Sequence, residues 1–274
     1  VKDAELNLSL ATISFANAEI ALVSSIAGAA SASASSLGTG LYASTSLTDD
    51  IDKHTETLNS SQSVESNITA KNISFSGNNM TQTGSNVMSD GNISYDIMNK
   101  LKLLAGESSY RSESYNEHIT AGASFGNNAV QANAGYSQSR NRSSGSSFAN
   151  SNVIADNINI RTGGDAEFVG ANVNANENII ASIGGDLVLE SKQDTDYAKG
   201  KSFGASLGFG AGGNGKKSGS FGVNSGSSNR DSAWVNDMTE ITGANVDIAV
   251  AGKTSITGAM IDGDDNLHLT TNEL

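Results

Sequence analysis

The 274-residue chain has no cysteine and no proline, and it is poor in aromatic and basic residues. Without cysteine it contains no disulfide and no thiolate metal ligand. Sixteen Lys and Arg against 29 Asp and Glu give a net charge of −13, and this balance lacks the basic surface that nucleic acid binding requires. No run of about 18 apolar residues occurs, so the sequence predicts no transmembrane helix.

The rest of the composition argues against an ordinary globular enzyme. Charged residues make up 16% of the chain and aromatic residues 5%, while there are 30 glycines; an average domain has about 25% charged residues. The chain begins with Val1-Lys2-Asp3 and not with Met. We expect both ends to continue into a longer protein, so the lack of a signal segment is uninformative.

One 21-residue unit occurs twice in tandem, at 156–176 and 177–197. Asn157 matches Asn178 and Asp165 matches Asp186, in both cases 21 residues later. Short runs of alternating apolar residues are separated by Gly, Asn and Asp, as in strands with one inward face joined at corners. One such coil buries little alone, whereas stacked coils bury a continuous core. The fold class predicted is all-β, a right-handed parallel β-helix with coils of about 21 residues.

The pair of coils recurs at a longer period. A Gly-x-x-Val/Ile motif occurs three times, first 86 and then 88 residues apart, and an Asn followed by alternating apolar residues precedes each copy. We interpret the Gly and Asp residues as corners and the Asn residues as stacks along the axis. The predicted structural residues are Asn72, Asn157, Asn178, Asn245, Gly84, Gly170, Gly258, Asp165 and Asp186.

Between the coil pairs lie segments that read as β-hairpins, with alternation, a Gly/Asn turn and alternation again. We predict a linker or cap over 1–62, with a short helical or irregular part over 16–36, and a β-helix over 63–274. Its coil pairs lie near 67–105, 152–191 and 241–274, and projecting antiparallel hairpins lie near 106–151 and 192–240. The predicted apolar face of the hairpins comprises Phe125, Phe203, Leu207, Phe209 and Phe221.

One stretch resembles the hemagglutinin repeat of filamentous hemagglutinin-like two-partner-secreted exoproteins, which include the contact-dependent growth-inhibition toxins. It reads Gly-Asp-Leu-Val-Leu-Glu-Ser-Lys-Gln-Asp-Thr, residues 185–195, and a Gly/Ser-rich hairpin follows it. The resemblance covers about 67–274. The first repeat departs from it, with Leu104-Ala-Gly-Glu-Ser-Ser109 at the corresponding place.

The resemblance implies a secreted protein at the bacterial cell surface, exported by an outer-membrane secretion transporter. The absence of cysteine suits passage through such a pore, because a premature disulfide would block it. The function expected is a non-catalytic structural and interaction section of a surface fibre, in an adhesin or a toxin-delivery protein. It would position receptor-binding or toxin domains against a surface receptor that the sequence does not identify.

Two alternatives stay open. If the hairpin face left the coils, it would give a membrane-interacting translocation segment with a target outer membrane as partner, since spanning strands need about 9–11 alternating residues; packing along the coils is the competing interpretation. A polysaccharide-active enzyme using Asp264-Asp265 is the minor alternative. No cofactor and no metal site are predicted: His54, His118 and His268 lie far apart, and Gly-Gly-Asp recurs at too long a period for a calcium roll.

Overall fold

The computed structural model describes residues 45–126, 129–212 and 215–274. Every regular element in these ranges is a strand, which confirms the all-β prediction. The predicted helix over 16–36 lies outside the described residues. The strands are β1 (Thr45–Ser61), β2 (Ser66–Ala70), β3 (Ile73–Thr83), β4 (Ser85–Ser89), β5 (Asn92–Leu104), β6 (Gly106–Gly126), β7 (Ala129–Ala149), β8 (Ser151–Thr162), β9 (Ala166–Val169), β10 (Ala171–Ile183), β11 (Leu187–Glu190), β12 (Asp194–Gly212), β13 (Lys217–Trp234), β14 (Glu240–Thr257) and β15 (Met260–Glu273).

The described chain forms two compact units. The stacked unit comprises residues 58–111, 143–197 and 230–274. The hairpin unit comprises 45–57, 112–142 and 198–229, apart from 127–128 and 213–214. Strands β6, β7, β12 and β13 each run from one unit into the other, and the part of each within the stacked unit is called its base.

The stacked unit is built on a ten-stranded sheet whose strands pair in parallel. Pairing joins equivalent positions of successive chain segments, which we call coils. The described residues contain six of them, stacked in chain order. They are coil 1 (66–83), coil 2 (85–104), coil 3 (151–169), coil 4 (171–190), coil 5 (240–257) and coil 6 (260–273).

The long excursions between coils do not interrupt the stack. Asn86 on coil 2 pairs directly with Asn152 on coil 3, although a hairpin separates them in the chain. Asn172 on coil 4 pairs in the same way with Glu240 on coil 5. Each hairpin therefore leaves the stack and returns to it at adjacent levels.

The core consists of inward side chains that pile up from coil to coil. Ile93, Ile158, Ile179 and Val246 form one such column, each the direct parallel partner of the next and at most 2% exposed. Ile158 beside Ile179 is the contact that the 21-residue repeat predicts, and the predicted parallel pairing is confirmed. Apolar burial at about 25 cal/mol per Å² makes these columns the main stabilising term of the unit.

The remaining described strands form a five-stranded sheet in the order β1-β6-β7-β12-β13. In β12 and β13, Asn224 lies against Gly204 and Ser218 lies against Gly210, so partners run in opposite directions along the two strands. The hairpin is therefore antiparallel. Glycines on one strand lie opposite Ser or Asn on the other, so this face of the hairpin carries only short polar side chains.

Residues 45–61 differ from the sequence-based expectation. They lie in the predicted linker or cap, whereas the structure places them in β1, next to β6. His54 contacts Asn116 and His118 contacts Asp52, which gives an antiparallel register. Most residues of β1 are acidic or otherwise polar, so the strand lacks the apolar alternation by which strands are recognised in a sequence.

Candidate functional site

The predicted Asn positions form a row of amides along the stack. Asn178 Nδ2 donates to Asn157 Oδ1 at 2.7 Å, Asn245 to Asn178 at 3.1 Å, and Asn266 to Asn245 at 2.8 Å. On the first two coils, Asn92 Nδ2 lies 3.3 Å from Asn72 Oδ1. These four amides donate to the coil before them, whereas Asn157 Nδ2 donates to Glu177 Oε2 on coil 4 at 3.2 Å. The row thus ties neighbouring coils together outside the core.

A second amide row was not identified from the sequence. Asn86 Nδ2 donates to Asn67 Oδ1 at 3.0 Å and Asn152 Nδ2 to Asn86 Oδ1 at 2.8 Å. Asn172 continues the row on coil 4, with its amide 3.2 Å from Asn152 Oδ1. The signal was available for two of its members, because Asn86 and Asn172 follow Gly84 and Gly170 by two positions in the repeated motif.

The predicted corner glycines adopt a left-handed backbone. Their φ angles are +51° at Gly84, +66° at Gly170 and +59° at Gly258. Such angles cost a side-chain-bearing residue about 1–2 kcal/mol. A Cβ at Gly170 would also lie 2.5 Å from the Cβ of Ala105, where the first hairpin leaves the stack. Glycine is needed there for backbone angle and for space.

The predicted corner aspartates accept backbone hydrogen bonds between coils. Asp165 Oδ1 accepts from the amide of Asp186 at 3.1 Å, and Asp186 Oδ1 accepts from the amide of Lys253 at 2.8 Å. The adjoining glycines sit backbone against backbone, since a Cβ at Gly184 would lie 2.4 Å from the carbonyl oxygen of Gly163. The Gly-Gly-Asp motif therefore forms a tightly stacked corner.

Two buried hydroxyls close the hairpin bases, and we call Ser151 and Thr239 the corner hydroxyls. Ser151 Oγ donates to the carbonyl of Leu104 at 2.7 Å, and Thr239 Oγ1 donates to that of Glu190 at 2.7 Å. Thr239 Oγ1 also accepts from the amide of Ala171 at 3.2 Å. Both side chains are fully buried. They join the last residue before each hairpin to the first residue after it.

Thr239→Val is expected to destabilise the stacked unit by about 1–3 kcal/mol, because it keeps the shape of the side chain and leaves buried backbone groups without their partner. Thr239→Ser keeps the hydroxyl and loses one methyl group, worth about 0.8 kcal/mol. Urea unfolding gives the stabilities, and amide exchange at Ala171 identifies the cause. Faster exchange in the Ser variant than in the Val variant would contradict the assignment.

Residues 191–195, on which the resemblance depends, hold the second hairpin to the first. Asp194 Oδ1 accepts from the amide of Phe148 at 2.8 Å, and Thr195 Oγ1 lies 2.8 Å from Ser146 Oγ. At the first hairpin, Ser108 Oγ accepts from the amide of Ser63 at 3.1 Å in the equivalent place. A serine hydroxyl thus replaces the aspartate carboxylate where the first repeat departs from the motif.

A tyrosine links three strands at the hairpin bases. Tyr110 on β6 passes over Gly145 on β7, where a Cβ would lie 2.7 Å from the ring, and its hydroxyl donates to Asp196 Oδ1 on β12 at 2.8 Å. Arg230 on β13 forms an ion pair with the same carboxylate. The hydrogen bond to Asp196 raises the pKa of Tyr110 above its usual range.

Charged side chains on the outside of coils 2 and 3 form ion pairs with each other. Glu167 forms ion pairs with Lys100 and, at 2.7 Å, with Lys102. Hydrogen bonds from Lys100 first, and then from Lys102, hold the pKa of Glu167 below its ordinary value. The carboxylate of Glu167 on coil 3 is thus engaged by two lysines of coil 2, which is a stabilising contact between the two coils.

The apolar residues predicted on the second hairpin are exposed. Phe203, Leu207 and Phe209 alternate along β12 with small residues. The β12–β13 register places Phe221 opposite Leu207, and Phe209 is 59% and Phe221 72% exposed. Phe125 lies in β6. The hairpin unit thus presents aromatic side chains to solvent.

The residues weighed for catalysis or metal binding are not brought together. Among residues 45–126, 129–212 and 215–274 there is no cluster of three or more His, Asp or Glu that could hold a metal ion. His54 contacts Asn116, His118 contacts Asp52, and His268 lies 3.7 Å from Asp247. Asp264 and Asp265 are exposed. Within the same described ranges, no helix is long and apolar enough to cross a membrane.

Known proteins match the chain in sequence. A family model of the hemagglutinin repeat matches residues 47–205. Filamentous hemagglutinin of Bordetella pertussis is 29% identical over 151 residues, which are 48% of this chain and 4% of that protein. Deoxyribonuclease CdiA of Dickeya dadantii is 30% identical over 233 residues, 79% of this chain and 6% of that protein. No solved structure matches. These findings confirm the resemblance carried by residues 185–195.

Proposed function

Since this chain belongs to the hemagglutinin-repeat family, we propose that it is a non-catalytic section of a bacterial surface fibre. The chain is part of a secreted, cell-surface protein, as the sequence predicts. It corresponds to a small fraction of each relative, so the nuclease named in one of them stays an attribute of that relative. The role proposed here is to hold receptor-binding or toxin domains at a distance.

The observation that carries this proposal is the continuity of the stack across both hairpins. Coil 2 pairs with coil 3, and coil 4 with coil 5, as closely as coils adjacent in the chain. We infer a right-handed parallel β-helix in which each coil adds about 4.8 Å of length. In such a section the number of coils sets the distance spanned. The outer-membrane secretion transporter and a surface receptor are the proposed partners.

A deletion of one whole repeat tests this role. Removing 152–239 joins Ser151, a corner hydroxyl, to Glu240 and removes two coils with the second hairpin. Ser74 on coil 1 and His268 on coil 6 belong to one column of partners, five coil steps apart. Spin labels on cysteines introduced there are expected to move closer by about 10 Å, because each step is about 4.8 Å.

The matched control removes 152–249, which joins Ser151 to Val250 in the middle of coil 5, out of register. We expect this variant to lose the label distance and much of its β-sheet circular dichroism. An unchanged label distance after the in-register deletion, or unfolding of that variant, would contradict a spacer role. The absence of native cysteine makes the labelling specific.

A membrane-interacting segment is the second candidate, and the exposure of Phe209 and Phe221 favours it. A dye-release assay tests it: the full 274-residue chain is added to dye-filled vesicles of phosphatidylethanolamine and phosphatidylglycerol. If this candidate is correct, the chain releases a trapped dye, Leu207→Asp with Phe209→Asp abolishes release, and Ser206→Asp on the opposite face does not. Intact vesicles would remove the candidate and leave the spacer role.

A further inference from the structure

The five-stranded sheet alternates two kinds of strand. β6 and β12 leave the stack after coils 2 and 4, whereas β1, β7 and β13 lead into coils 1, 3 and 5. Pairs form within a hairpin and also between hairpins, since β1 pairs with β6 and β7 with β12. In the pairs β1–β6 and β7–β12, the first strand leads into the stack and the second is the next strand along the chain that leaves the stack.

The two junctions between hairpins use the same contact. Ser108 near the start of β6 accepts the amide of Ser63, and Asp194 at the start of β12 accepts the amide of Phe148. The donors are 85 residues apart in the chain and the acceptors 86. An entering strand therefore offers an amide at a fixed place, and a leaving strand brings an acceptor side chain to it.

β13 is the third entering strand and, among the described strands, the last in the sheet. Asn236 precedes the corner hydroxyl Thr239 by three positions, as Phe148 precedes Ser151, and it is exposed. Apart from Gly222 and Ser232, every residue of β13 is exposed. The residue position whose amide binds a leaving strand at the other junctions is thus present and exposed here.

The middle of β13 also lacks the features by which sheet edges avoid pairing, since its charged residues Lys217, Arg230 and Asp231 lie at or near its two ends. Charges, prolines and bulges normally protect such an edge, yet residues 218–229 contain no charged side chain and the chain has no proline. β1, at the other end of the sheet, carries Asp49, Asp50, Asp52 and Glu56. One edge is protected by charge and the other is suited to accept a strand.

We propose that the outer edge of β13 binds a leaving strand of another hemagglutinin repeat. The partner is an extended, antiparallel, Gly/Ser-rich segment that begins with Asp-Thr or Ser-Ser. Its acceptor side chain takes the amide of Asn236, and its glycines face the serine and asparagine side chains of β13. The inference rests on the proposed fibre role, and it makes the edge of β13 the point at which the sheet grows.

A peptide with the sequence of residues 191–212 tests the proposal against the full 274-residue chain. Fluorescence anisotropy of the labelled peptide should rise saturably, and hydrogen exchange should slow in β13. A peptide with Asp194→Ala and Thr195→Ala should bind on the order of tenfold more weakly, the effect of one hydrogen bond to a charged group. A scrambled peptide of the same composition is the control.

Matched variants of the chain locate the binding site. Val223→Lys on β13 should abolish binding, whereas Ile51→Lys, at an exposed position on β1, should leave it unchanged. Absence of binding, protection of β1 in place of β13, or self-association through β13 that the peptide does not reverse would overturn the proposal. The label distances of the deletion experiment do not depend on this edge, so failure of this inference is distinguished from failure of the fibre role.

Discussion

Phe168→Ala is expected to lower the free energy of unfolding of the stacked unit by about 3–5 kcal/mol, the usual range for removing a buried aromatic ring. Phe168 is 1% exposed and pairs with Leu103 on coil 2 and Leu189 on coil 4. The cavity would therefore affect the interfaces of coil 3 with both neighbours. Urea unfolding followed by far-ultraviolet circular dichroism measures the loss.

Phe209→Ala is the matched control, because it removes the same side chain from an exposed position on β12. We expect it to change stability by about 0.5 kcal/mol or less, as for most surface substitutions. Equal losses in the two variants would mean that Phe168 is not part of a packed core.

Gly170→Ala is expected to cost about 2–5 kcal/mol, with two separate causes. The left-handed backbone accounts for about 1–2 kcal/mol, and forcing a methyl group against Ala105 accounts for about 1–3 kcal/mol. Gly258→Ala separates these causes, since φ is +59° there and the nearest atom to an added Cβ is 3.8 Å away. That control should show the first cost alone.

A double variant tests the second cause directly. Ala105→Gly removes the Cβ that lies 2.5 Å from the added one, so it should recover part of the loss in Gly170→Ala, a coupling of about 1–3 kcal/mol. Denaturant midpoints of the four proteins complete the cycle. Strictly additive effects would show that the hairpin base and the corner are energetically independent.

Features with a fixed spacing were predictable from the sequence. Gly84, Gly170 and Gly258 recur at intervals of 86 and 88 residues, and each has the positive φ that favours glycine. The amide row through Asn157 and Asn178 followed from the 21-residue period in the same way. Periodicity identifies such positions because every coil repeats the same local requirement.

Features that depend on distant partners could not be read in this way. The corner hydroxyl is a serine in one repeat and a threonine in the other. Ser151 contacts a residue 47 positions away in the chain, and Thr239 contacts one 49 positions away. Tyr110 reaches Asp196 across a third strand, 86 residues on. Strand β6 is 21 residues long, and the start of so long a hairpin strand could not be located from the sequence because its polar base shows no apolar alternation.

The row of amides gives the stack a direction. Asn178, Asn245 and Asn266 each turn their NH₂ group toward the lower-numbered coil and their oxygen toward the higher one. Two stacks that meet with the same orientation therefore bring NH₂ to oxygen at the joint. Two that meet in opposite orientations bring like groups together, which cannot hydrogen-bond. The orientation of these side-chain amides thus gives the two ends of the stack different hydrogen-bonding groups, independently of the apolar core.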